Sequence, residues 1–529
     1  MFELSRISDA VRYEGGISRR LFLAYSAALA SLPQLAERAQ AAEKNVTFSS
    51  DPFASGIASG DPDSTSVVLW TRLIQDPFDA YGGMSTEPIP VQWEVAHDEQ
   101  FSRIAASGVA TATPQLGHSV HAVAQGLEPD RWYFYRFRAG DAQSPVGRCR
   151  TLPHADSLPE KLRFASTSCQ HFEQGLYTAY EQMQKDDLDL VFHLGDYIYE
   201  GPGRDNLVRK HFGKEIVSLG DYRIRFAQYR TDPLLRQMHA ACPWFVTWDD
   251  HEFDNNYAGE ISEQLNEDPV AFLQRRANSY QAYYENMPLR PRSLPKGPDM
   301  RLYRKGSFGR LAEFLILDTR QYRTDQPNND KRSPINDAAL NPQATLLGRT
   351  QRQWLQSSLL TSQAAWNVLA QQVMMGMVGV GREGDTPLYS MDQWPGYSHE
   401  RIQLANFLAE RRIPNPVVLT GDIHSNWANE LRVDDRNPET PLVATEFVAT
   451  SLSSGGNGRA RPDYVDLLQA THPFVKLHNN ERGYIRCTVT PQSWTSDYVA
   501  VEDVLAPGGN IVTRASFVVE AGRPQLNKA

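Results

Sequence analysis

Three short apolar runs of this chain each end in a cluster that contains an acidic residue. They lead to Asp196 in LDLVFHLGDYIYE, to Asp250 in PWFVTWDDHEFDNN and to Asp422 in NPVVLTGDIHSNW. An apolar run of about four to eight residues between turn formers is typical of a buried strand, so each acid is predicted where a strand passes into a loop. Open α/β sheets place their binding sites at such strand ends. The pattern predicts an α/β fold with a site at these loops.

The pattern of the chain changes near residue 153. From 49 to 152, alternating runs such as SVVLWTRL and RWYFYRFRAG are separated by turn residues, which is typical of a small all-β sandwich. From 153 to 525, strand-like runs alternate with helical stretches, and this favours layered α/β packing. We therefore predict an N-terminal β-sandwich domain at 49–152 and an α/β domain at 153–525.

Helical patterns and turn-rich stretches subdivide the larger domain. Two segments rich in Asn, Asp, Gly, Ser and Pro are predicted to be surface loops or lids, at 323–341 and 453–473. Helices are predicted near 177–187, 221–240, 268–287, 351–362 and 399–412.

The first 41 residues are expected to direct export rather than to fold. The motif SRRLFL at 18–23 leads into an apolar stretch through Ala30, and Ala39-Gln40-Ala41 supplies the small residues that a signal peptidase needs. The segment resembles a twin-arginine export signal. We expect the twin-arginine machinery to carry the chain to the periplasm, the cell wall or the medium. No later stretch approaches the ~18 apolar residues of a membrane span, so the mature chain is expected to have none.

Composition narrows the function classes. The net charge of -10 disfavours a nucleic-acid scaffold, because phosphate neutralisation needs clustered Lys and Arg. The four cysteines are too few and too scattered for a disulfide framework, although a single bridge outside the cytoplasm stays an alternative. Without a C-x-x-C pair a structural zinc site is not expected. The chain also lacks the G-x-x-x-x-G-K-[ST] motif of a P-loop nucleotide enzyme.

The polar residues at the predicted strand ends suggest a metal centre of mixed ligands. Cys169, Asp196, Tyr199 and His424 combine a thiolate and a phenolate with a carboxylate and an imidazole. This anionic set suits a trivalent transition ion such as iron. Asp422 and His424 stand two apart, so in an extended segment both can face one centre.

A second group offers oxygen ligands only. It contains Asp250, Asn255 or Asn256, and Asp422, and oxygen ligands favour calcium, magnesium or manganese. Asp196 is predicted to bridge the two cations at the roughly 3.5–4 Å separation of two-metal hydrolases. Without cations among them, so many converging carboxylates would repel one another.

These motifs together resemble the alkaline phosphatase D (PhoD-like) family of calcineurin-like metallophosphoesterases. The resemblance covers nearly everything after the signal, including the small β domain and the segments LDTRQYR and DQWPGY. Its most specific parts are a strand-end cysteine and three motifs, found here as Cys169, GDYIY (195–199), WDDHE (248–252) and GDIH (421–424).

The resemblance implies a four-layer αββα metallophosphoesterase domain that holds iron(III) beside one or more calcium ions. Manganese or magnesium is an alternative at the second position. Carried over by position, the resemblance assigns iron to a set of four residues: Cys169, Asp196, Tyr199 and His424.

For the second ion the resemblance implies Asp196 and Asp422 with an oxygen of Asp250 or Asn255, although Asn256 is also near enough to donate. It places His251 beside the phosphate, where a histidine stabilises charge on phosphorus or protonates the leaving alkoxide. His251 is therefore the predicted catalytic residue.

The resulting hypothesis is an exported metal-dependent phosphatase. A metal-activated hydroxide attacks the phosphorus of a phosphate monoester, and diesters are a further substrate class. One alternative is a phosphodiesterase or phospholipase D-type enzyme that acts on phospholipid or teichoic-acid-like polymers. Another is an exported binding protein without catalytic activity. A cysteine phosphatase is disfavoured because Gly175 stands where that signature needs an arginine.

Overall fold

The computed structural model describes residues 46–263, 267–381 and 385–529. The predicted export signal at 1–41 lies outside the described residues. The strands, in chain order, are β1 (Ile57–Gly60), β2 (Ser66–Arg72), β3 (Ile89–Ala96), β4 (Ile104–Ala112), β5 (Ser119–Gln125), β6 (Trp132–Ala139), β7 (Ala142–Gln143), β8 (Gly147–Arg150), β9 (Leu162–Thr167), β10 (Leu190–Leu194), β11 (Trp244–Thr247), β12 (Arg304–Phe308), β13 (Ala312–Ile316), β14 (Trp366–Ala370), β15 (Pro416–Thr420), β16 (Asn426–Arg432), β17 (Leu442–Val448), β18 (Val475–Asn479), β19 (Arg482–Val489), β20 (Ser493–Val501), β21 (Ile511–Glu520) and β22 (Arg523–Lys528).

Helices lie between many of these strands. The α-helices are α1 (Thr178–Met183), α2 (Leu219–Tyr229), α3 (Pro233–Ala241), α4 (Pro269–Asn286), α5 (Gly348–Thr361), α6 (Ser398–Glu410) and α7 (Val465–Thr471). Short 3₁₀ segments occur at Pro114–Leu116, Pro291–Ser293, Pro327–Asp330 and Trp394–Tyr397.

Local capping explains where three of the helices begin. The Ser218 hydroxyl accepts the Asp221 N–H and the Asp221 carboxylate accepts the Ser218 N–H, which is a capping box at the start of α2. Asp232 caps α3 and Asp268 caps α4, each followed by a proline at the first helical position. The cap at Asp232 divides the predicted helix 221–240 into two.

The strands form three sheets. The largest has ten strands in the order β22-β21-β20-β19-β9-β10-β11-β1-β2-β5. A seven-stranded sheet has the order β12-β13-β14-β15-β17-β16-β18, and a five-stranded sheet contains β4, β3, β6, β7 and β8. β9, β10 and β11 are parallel neighbours, as are β13, β14 and β15.

The two larger sheets pack face to face, with helices on both outer faces. Along β14, Val368 packs into the core between the sheets and Leu369 into the core under α5 and α6. Phe164 of one sheet meets Phe314 of the other edge to face, with ring centroids 5.5 Å apart. Helices α1 to α4 cover the ten-stranded sheet. The strands are therefore buried on both sides, and the predicted four-layer αββα domain is confirmed.

The N-terminal region is all-β, as predicted, but one of its sheets is not its own. Val67 and Leu69 of β2 pack with Val91 and Phe137 of the five-stranded sheet, which makes a sandwich. β1, β2 and β5, however, continue the ten-stranded sheet of the larger domain, and β1 pairs in parallel with β11. The sequence patterns did not predict this shared sheet.

The remaining predictions about the fold concern cysteines and membrane spans. Cys149, Cys169, Cys242 and Cys487 are all buried and unpaired, in agreement with the prediction that they form no disulfide framework. Among residues 46–263, 267–381 and 385–529, no helix has the length and apolar character needed to cross a bilayer.

Candidate metal centre

Four loops at the carboxyl ends of parallel strands bring the predicted ligands together. Cys169 follows β9 and Asp196 follows β10, each two residues beyond the strand. Asp250 follows β11, and Asp422 follows β15 in the facing sheet. The site therefore lies where the edges of both large sheets meet.

Two glycines allow these loops to approach one another. A Cβ at Gly195 would lie 2.5 Å from the Asp249 Cβ, and the residue has a positive φ of 106°. A Cβ at Gly421 would lie 2.7 Å from the side chain of Ser168. Each glycine stands directly before an aspartate of the G-D motifs. Both positions need glycine because a Cβ would collide with the neighbouring loop, and Gly195 needs it also for its positive φ.

The backbone is strained at four of the predicted ligands. A non-glycine residue with left-handed φ is uncommon, and each costs on the order of 1–3 kcal/mol unless its surroundings hold it in place. Such strain gathers at functional sites. The four are Cys169 (φ 58°), Asp196 (57°), Asp422 (62°) and His424 (52°).

The four residues predicted to hold iron lie together. Cys169, Asp196 and His424 each offer one ligand atom within 4.8 Å of the others. The Tyr199 hydroxyl lies 2.8 Å from Asp196 Oδ2 and 3.1 Å from His424 Nε2. The Ser454 hydroxyl donates to the Tyr199 oxygen at 2.8 Å, a contact that the sequence did not reveal.

The second predicted group is assembled beside the first. Asp196, Asp250 and His251 form one cluster with ligand atoms within 4.8 Å, and Asp249, Asp250 and Asp422 form another. Asp196 belongs to both the Cys169 cluster and the Asp250 cluster. Candidate metal-binding clusters are thus present at the predicted place, and Asp196 lies between them.

Asn255 and Asn256 lie in the loop after β11. The Asn256 N–H donates to Asp250 Oδ2 at 2.8 Å, and its amide Nδ2 donates to Asp330 at 2.7 Å. Asn255 Nδ2 donates to Glu263 at 2.8 Å. Both amide nitrogens therefore bond within the surrounding loops.

His251 is held by a carboxylate that sequence reasoning missed. Its Nδ1–H donates to Glu200 Oε2 at 2.7 Å, which leaves Nε2 as the other ring nitrogen. Burial lowers the pKa of His251, but Glu200, Asp250 and Asp196 outweigh it and raise that pKa well above the usual value. Glu200 ends the GDYIYE run, so its position next to a motif was the available signal.

Arg320 lies at the centre of the acidic cluster and was also missed. Its fully buried guanidinium donates to Asp249 and, at 2.7 Å, to Asp392. Nη2 lies 3.7 Å from Asp250 Oδ2 and 3.6 Å from Asp422 Oδ1. Burial lowers the pKa of Arg320, but the carboxylates, Asp249 first, raise it well above its ordinary value. Arg320 therefore stays charged and holds the acids in place.

The positive charges of the arginines at the site are fewer than the negative charges of its carboxylates. Asp196 Oδ1 and Asp249 Oδ2 are buried and accept no hydrogen bond from the described parts of the chain. A buried anionic oxygen without a partner is costly, and a bound cation removes that cost. The groups packed together are five carboxylates and two guanidiniums: Asp196, Asp249, Asp250, Asp392 and Asp422 with Arg320 and Arg323.

The Cys169 thiol and the Tyr199 phenol also indicate a cation at this site. Burial, followed by the Asp196 charge, raises the pKa of both Cys169 and Tyr199 well above the ordinary values. A thiolate or phenolate in this place requires a strongly positive neighbour. The donor set therefore fits a highly charged cation.

Glu252 supports the loops from behind. Its carboxylate accepts the backbone N–H groups of Asp196 at 3.1 Å, Tyr197 at 2.5 Å and Asp249 at 2.9 Å. Burial, then the Asp196 charge, raises the pKa of Glu252 to about 8, although the three N–H donors act in the opposite direction. Glu252 joins the loops after β10 and β11, which explains a glutamate at the end of W-D-D-H-E.

Comparison with known proteins agrees with this geometry. The PhoD-like phosphatase family matches residues 164–498, and its N-terminal domain matches residues 38–153. The chain is 49% identical over 520 residues to alkaline phosphatase D of Bacillus subtilis (strain 168), covering 96% of this chain and 89% of that protein. A solved structure described as PhoD superposes with a TM-score of 0.89 at 50% identity, covering 92% of this chain and 93% of the other. The predicted resemblance is confirmed: the chain belongs to the PhoD-like phosphatase family and is an enzyme of the phosphoric ester hydrolase class.

Proposed function

We propose that the protein is an exported, metal-dependent phosphatase that hydrolyses phosphate monoesters. The observation that carries this proposal is the position of Asp196. Its carboxylate lies in the cluster with Cys169 and His424 and in the cluster with Asp250 and His251, and its buried Oδ1 has no donor among the described residues. A carboxylate so placed can bridge two cations.

The proposed cations are iron(III) and calcium, with manganese or magnesium as alternatives for the second. Cys169, Asp196, Tyr199 and His424 would hold iron, since thiolate and phenolate donors suit that ion. Asp196, Asp422 and an oxygen of Asp250 or Asn255 would hold the second, harder ion. When bound, such a pair supplies charge for the phosphate oxygens and makes water nucleophilic near neutral pH.

His251 is the proposed catalytic acid. Its imidazole is fixed by Glu200 through Nδ1, so Nε2 is the nitrogen that would give a proton to the leaving alkoxide. Arg320 orients Asp249 and Asp392, and Glu252 ties together the backbone of two ligand loops. Arg320 and Glu252 thus support the loops that carry the ligands. The binding-protein alternative is set aside, because the family is one of phosphatases.

Metal analysis with a matched activity assay tests the proposal. Protein purified from its exported fraction should contain iron and a divalent ion. Chelation should abolish hydrolysis of p-nitrophenyl phosphate, and restoring both metals should recover it. Comparison with bis(p-nitrophenyl) phosphate tests the preference for monoesters. A metal-free preparation with full activity would contradict the proposed metal dependence, and a faster rate on the diester would favour the phosphodiesterase alternative.

Export by the twin-arginine machinery to the periplasm, cell wall or medium is part of the same proposal. It is supported by the motif SRRLFL and the small residues at 39–41. Changing Arg19 and Arg20 together to lysine should retain the chain inside the cell, whereas changing Arg6 and Arg12 should not. Localisation by cell fractionation distinguishes the two outcomes. Normal export of the Arg19 and Arg20 variant would contradict this route.

A further inference from the structure

A cavity of about 440 Å³ opens beside the metal centre. His424 and Gln393 belong to its wall and also to the centre. The His424 Nε2 lies 3.1 Å from the Tyr199 oxygen, and Gln393 Nε2 donates to Asp422 Oδ2 at 3.1 Å. A molecule with its phosphate at the metals would therefore have this cavity directly next to it.

Much of the cavity wall is apolar. Met374, Val378, Trp427 and Leu468 line it and pack together as one small core with Ile423. The Trp427 ring is held in place, because its Nε1–H donates to Ser425 at 2.8 Å. A wall of this kind favours hydrocarbon groups over water, because burying apolar surface is favourable. Polar ligands would lose their hydration there.

The exposed residues that line the cavity include an aliphatic and an aromatic side chain beside Arg332. Val380 is 42% exposed and Tyr464 is 51% exposed, and both line the cavity. The His472 ring bonds to the Gly379 carbonyl at 2.7 Å, which links helix α7 to the segment that carries Val380. Exposed apolar side chains gathered around a concave site are typical of a ligand-binding surface.

The charged side chains of the wall are basic. Arg332 and Arg482 line it, and none of its described lining residues is Asp or Glu. Arg482 donates through Nη1 to the His424 carbonyl at 2.6 Å and to Ser451 at 2.7 Å. Neither arginine forms an ion pair with a carboxylate in the described residues. This wall accepts neutral or anionic groups and disfavours a cation.

The volume of the cavity suits an organic group. A water molecule takes up about 30 Å³ of the liquid, and ligand pockets have about 300–1,000 Å³. The cavity falls within that second range, so it accepts an organic group of several carbons.

We infer that this cavity binds the organic group of the phosphate ester. The preferred substrate is the ester of an alcohol with an apolar chain of several carbons that carries no positive charge, rather than of a small or a cationic alcohol. The inference rests on the proposed function, because it places the phosphate at the metal centre. Trp427, Leu468 and the neighbouring wall residues then determine which esters the enzyme prefers.

A series of alkyl phosphates tests the inference on the metal-loaded protein. Methyl, butyl and hexyl phosphate leave as alkoxides of similar basicity, so their rates differ mainly through binding. We expect kcat/KM to rise about four-fold for each methylene that the cavity buries. Phosphocholine should be a poorer substrate than butyl phosphate. Equal kcat/KM along the series, or a preference for phosphocholine, would overturn the inference.

Two neighbouring leucines provide a matched pair of variants. Leu468 lines the cavity, whereas Leu467 is 57% exposed and does not line it. In Leu468→Asp the kcat/KM for hexyl phosphate should approach that for methyl phosphate. If the cavity buries two methylenes of the hexyl chain, the ratio of the two values should fall by at least roughly ten-fold. Leu467→Asp should keep the ratio of the unsubstituted protein. An unchanged ratio in a folded Leu468→Asp protein contradicts the assignment.

Alkylphosphonates separate this inference from the proposed function. They cannot be hydrolysed, and calorimetric titration measures their binding without turnover. Hexylphosphonate should bind more tightly than methylphosphonate even if no ester is cleaved, and Leu468→Asp should remove the difference. Absence of hydrolysis would then count against the proposed function alone. Equal binding of both phosphonates would count against the cavity.

Discussion

The imidazole of His251 lies against the phenol ring of Tyr199, with ring centroids 4.2 Å apart and planes tilted by 34°. A further imidazole, that of His171, lies 4.3 Å from the same phenol. The proposed acid and a proposed iron ligand are therefore in direct contact. Any substitution of one must be checked for its effect on the other, so metal content accompanies each activity measurement below.

His251→Gln should lower kcat on an alkyl phosphate by roughly 10²–10⁴-fold, the usual scale for a general acid. The loss should be smaller on p-nitrophenyl phosphate, because nitrophenolate leaves without protonation. Iron and divalent metal should remain at the level of the unsubstituted protein. The exposed His154 provides the control, and His154→Gln should change neither rate. Unchanged rates of His251→Gln on both esters would assign the proton transfer elsewhere.

Asp196→Asn should lose both metals, because one carboxylate serves both clusters. Asp250→Asn should lose only the divalent ion and keep iron, since Asp250 lies outside the cluster of Cys169, Asp196 and His424. Elemental analysis of both variants and of an exposed control, Asp205→Asn, provides the measurement. Retention of both metals by Asp196→Asn would show that this residue is not a bridge.

Tyr199→Phe should remove a visible absorption band. A phenolate bound to iron(III) produces a charge-transfer band, and Tyr199 is the phenol next to Asp196 and His424. Tyr229→Phe is the matched control, because its buried hydroxyl accepts the Tyr199 N–H at 3.2 Å without belonging to the cluster. The purified protein should be coloured, Tyr229→Phe should keep the colour, and a colourless iron-loaded protein would contradict the phenolate assignment.

Arg320→Met should destabilise the fold. Removing one partner of a buried ion pair costs roughly 3–5 kcal/mol, and here several carboxylates would lose the same partner. The exposed Arg349 on α5 is the control, and Arg349→Met should change the free energy of unfolding by less than about 0.5 kcal/mol. Urea denaturation of metal-depleted protein measures both. Equal free energies of unfolding for the two variants would contradict the prediction that Arg320 stabilises the fold.

Acid should destabilise the protein through His193. This fully buried histidine has no hydrogen-bond partner on either ring nitrogen in the described residues, and burial lowers its pKa to about 3. The unfolded chain takes up a proton near pH 6.5 and the folded chain does not, so stability falls as pH decreases from 6.5 towards 3.

His193→Leu should reduce that dependence by up to roughly 1.4 kcal/mol per pH unit. The free energy of unfolding is measured at pH 7, 5.5 and 4. His154→Leu, at an exposed position, should follow the unsubstituted protein. Parallel curves for His193→Leu and the unsubstituted protein would show that His193 is not the group involved.

The sequence predicted the strand ends because a buried parallel strand is a continuous apolar run, and such runs precede Asp196, Asp250 and Asp422. It also named Cys169, Asp196, Tyr199 and His424, which lie together in the folded chain. The assignment of the full ligand set stays a prediction. The residues that support those donors were harder to find. Glu200 adjoins the GDYIY motif and Arg320 stands in the segment LDTRQYR, but only the folded chain shows that they lie beside His251 and Asp249.

Other features depended on contacts distant in sequence. Helix α7 lies inside the segment 453–473 that was predicted to be a surface loop, and this prediction was wrong for Val465–Thr471. The helix is short and flanked by turn residues, so composition concealed it. β19 pairs with β9 from the far end of the chain, and no local pattern indicates such a partner. The predicted domain boundaries at 49–152 and 153–525 stay a prediction.

The pairing of β1 with β11 has a consequence for how this enzyme can be divided. Cutting the chain near residue 152 would strip a neighbour from the Trp244 strand and leave its backbone N–H and C=O groups uncovered. An uncovered flat edge recruits other chains and promotes aggregation. The N-terminal strands β1, β2 and β5 thus cover the edge that β11 would otherwise expose. A catalytic fragment without them would need another cover for that edge to stay unaggregated.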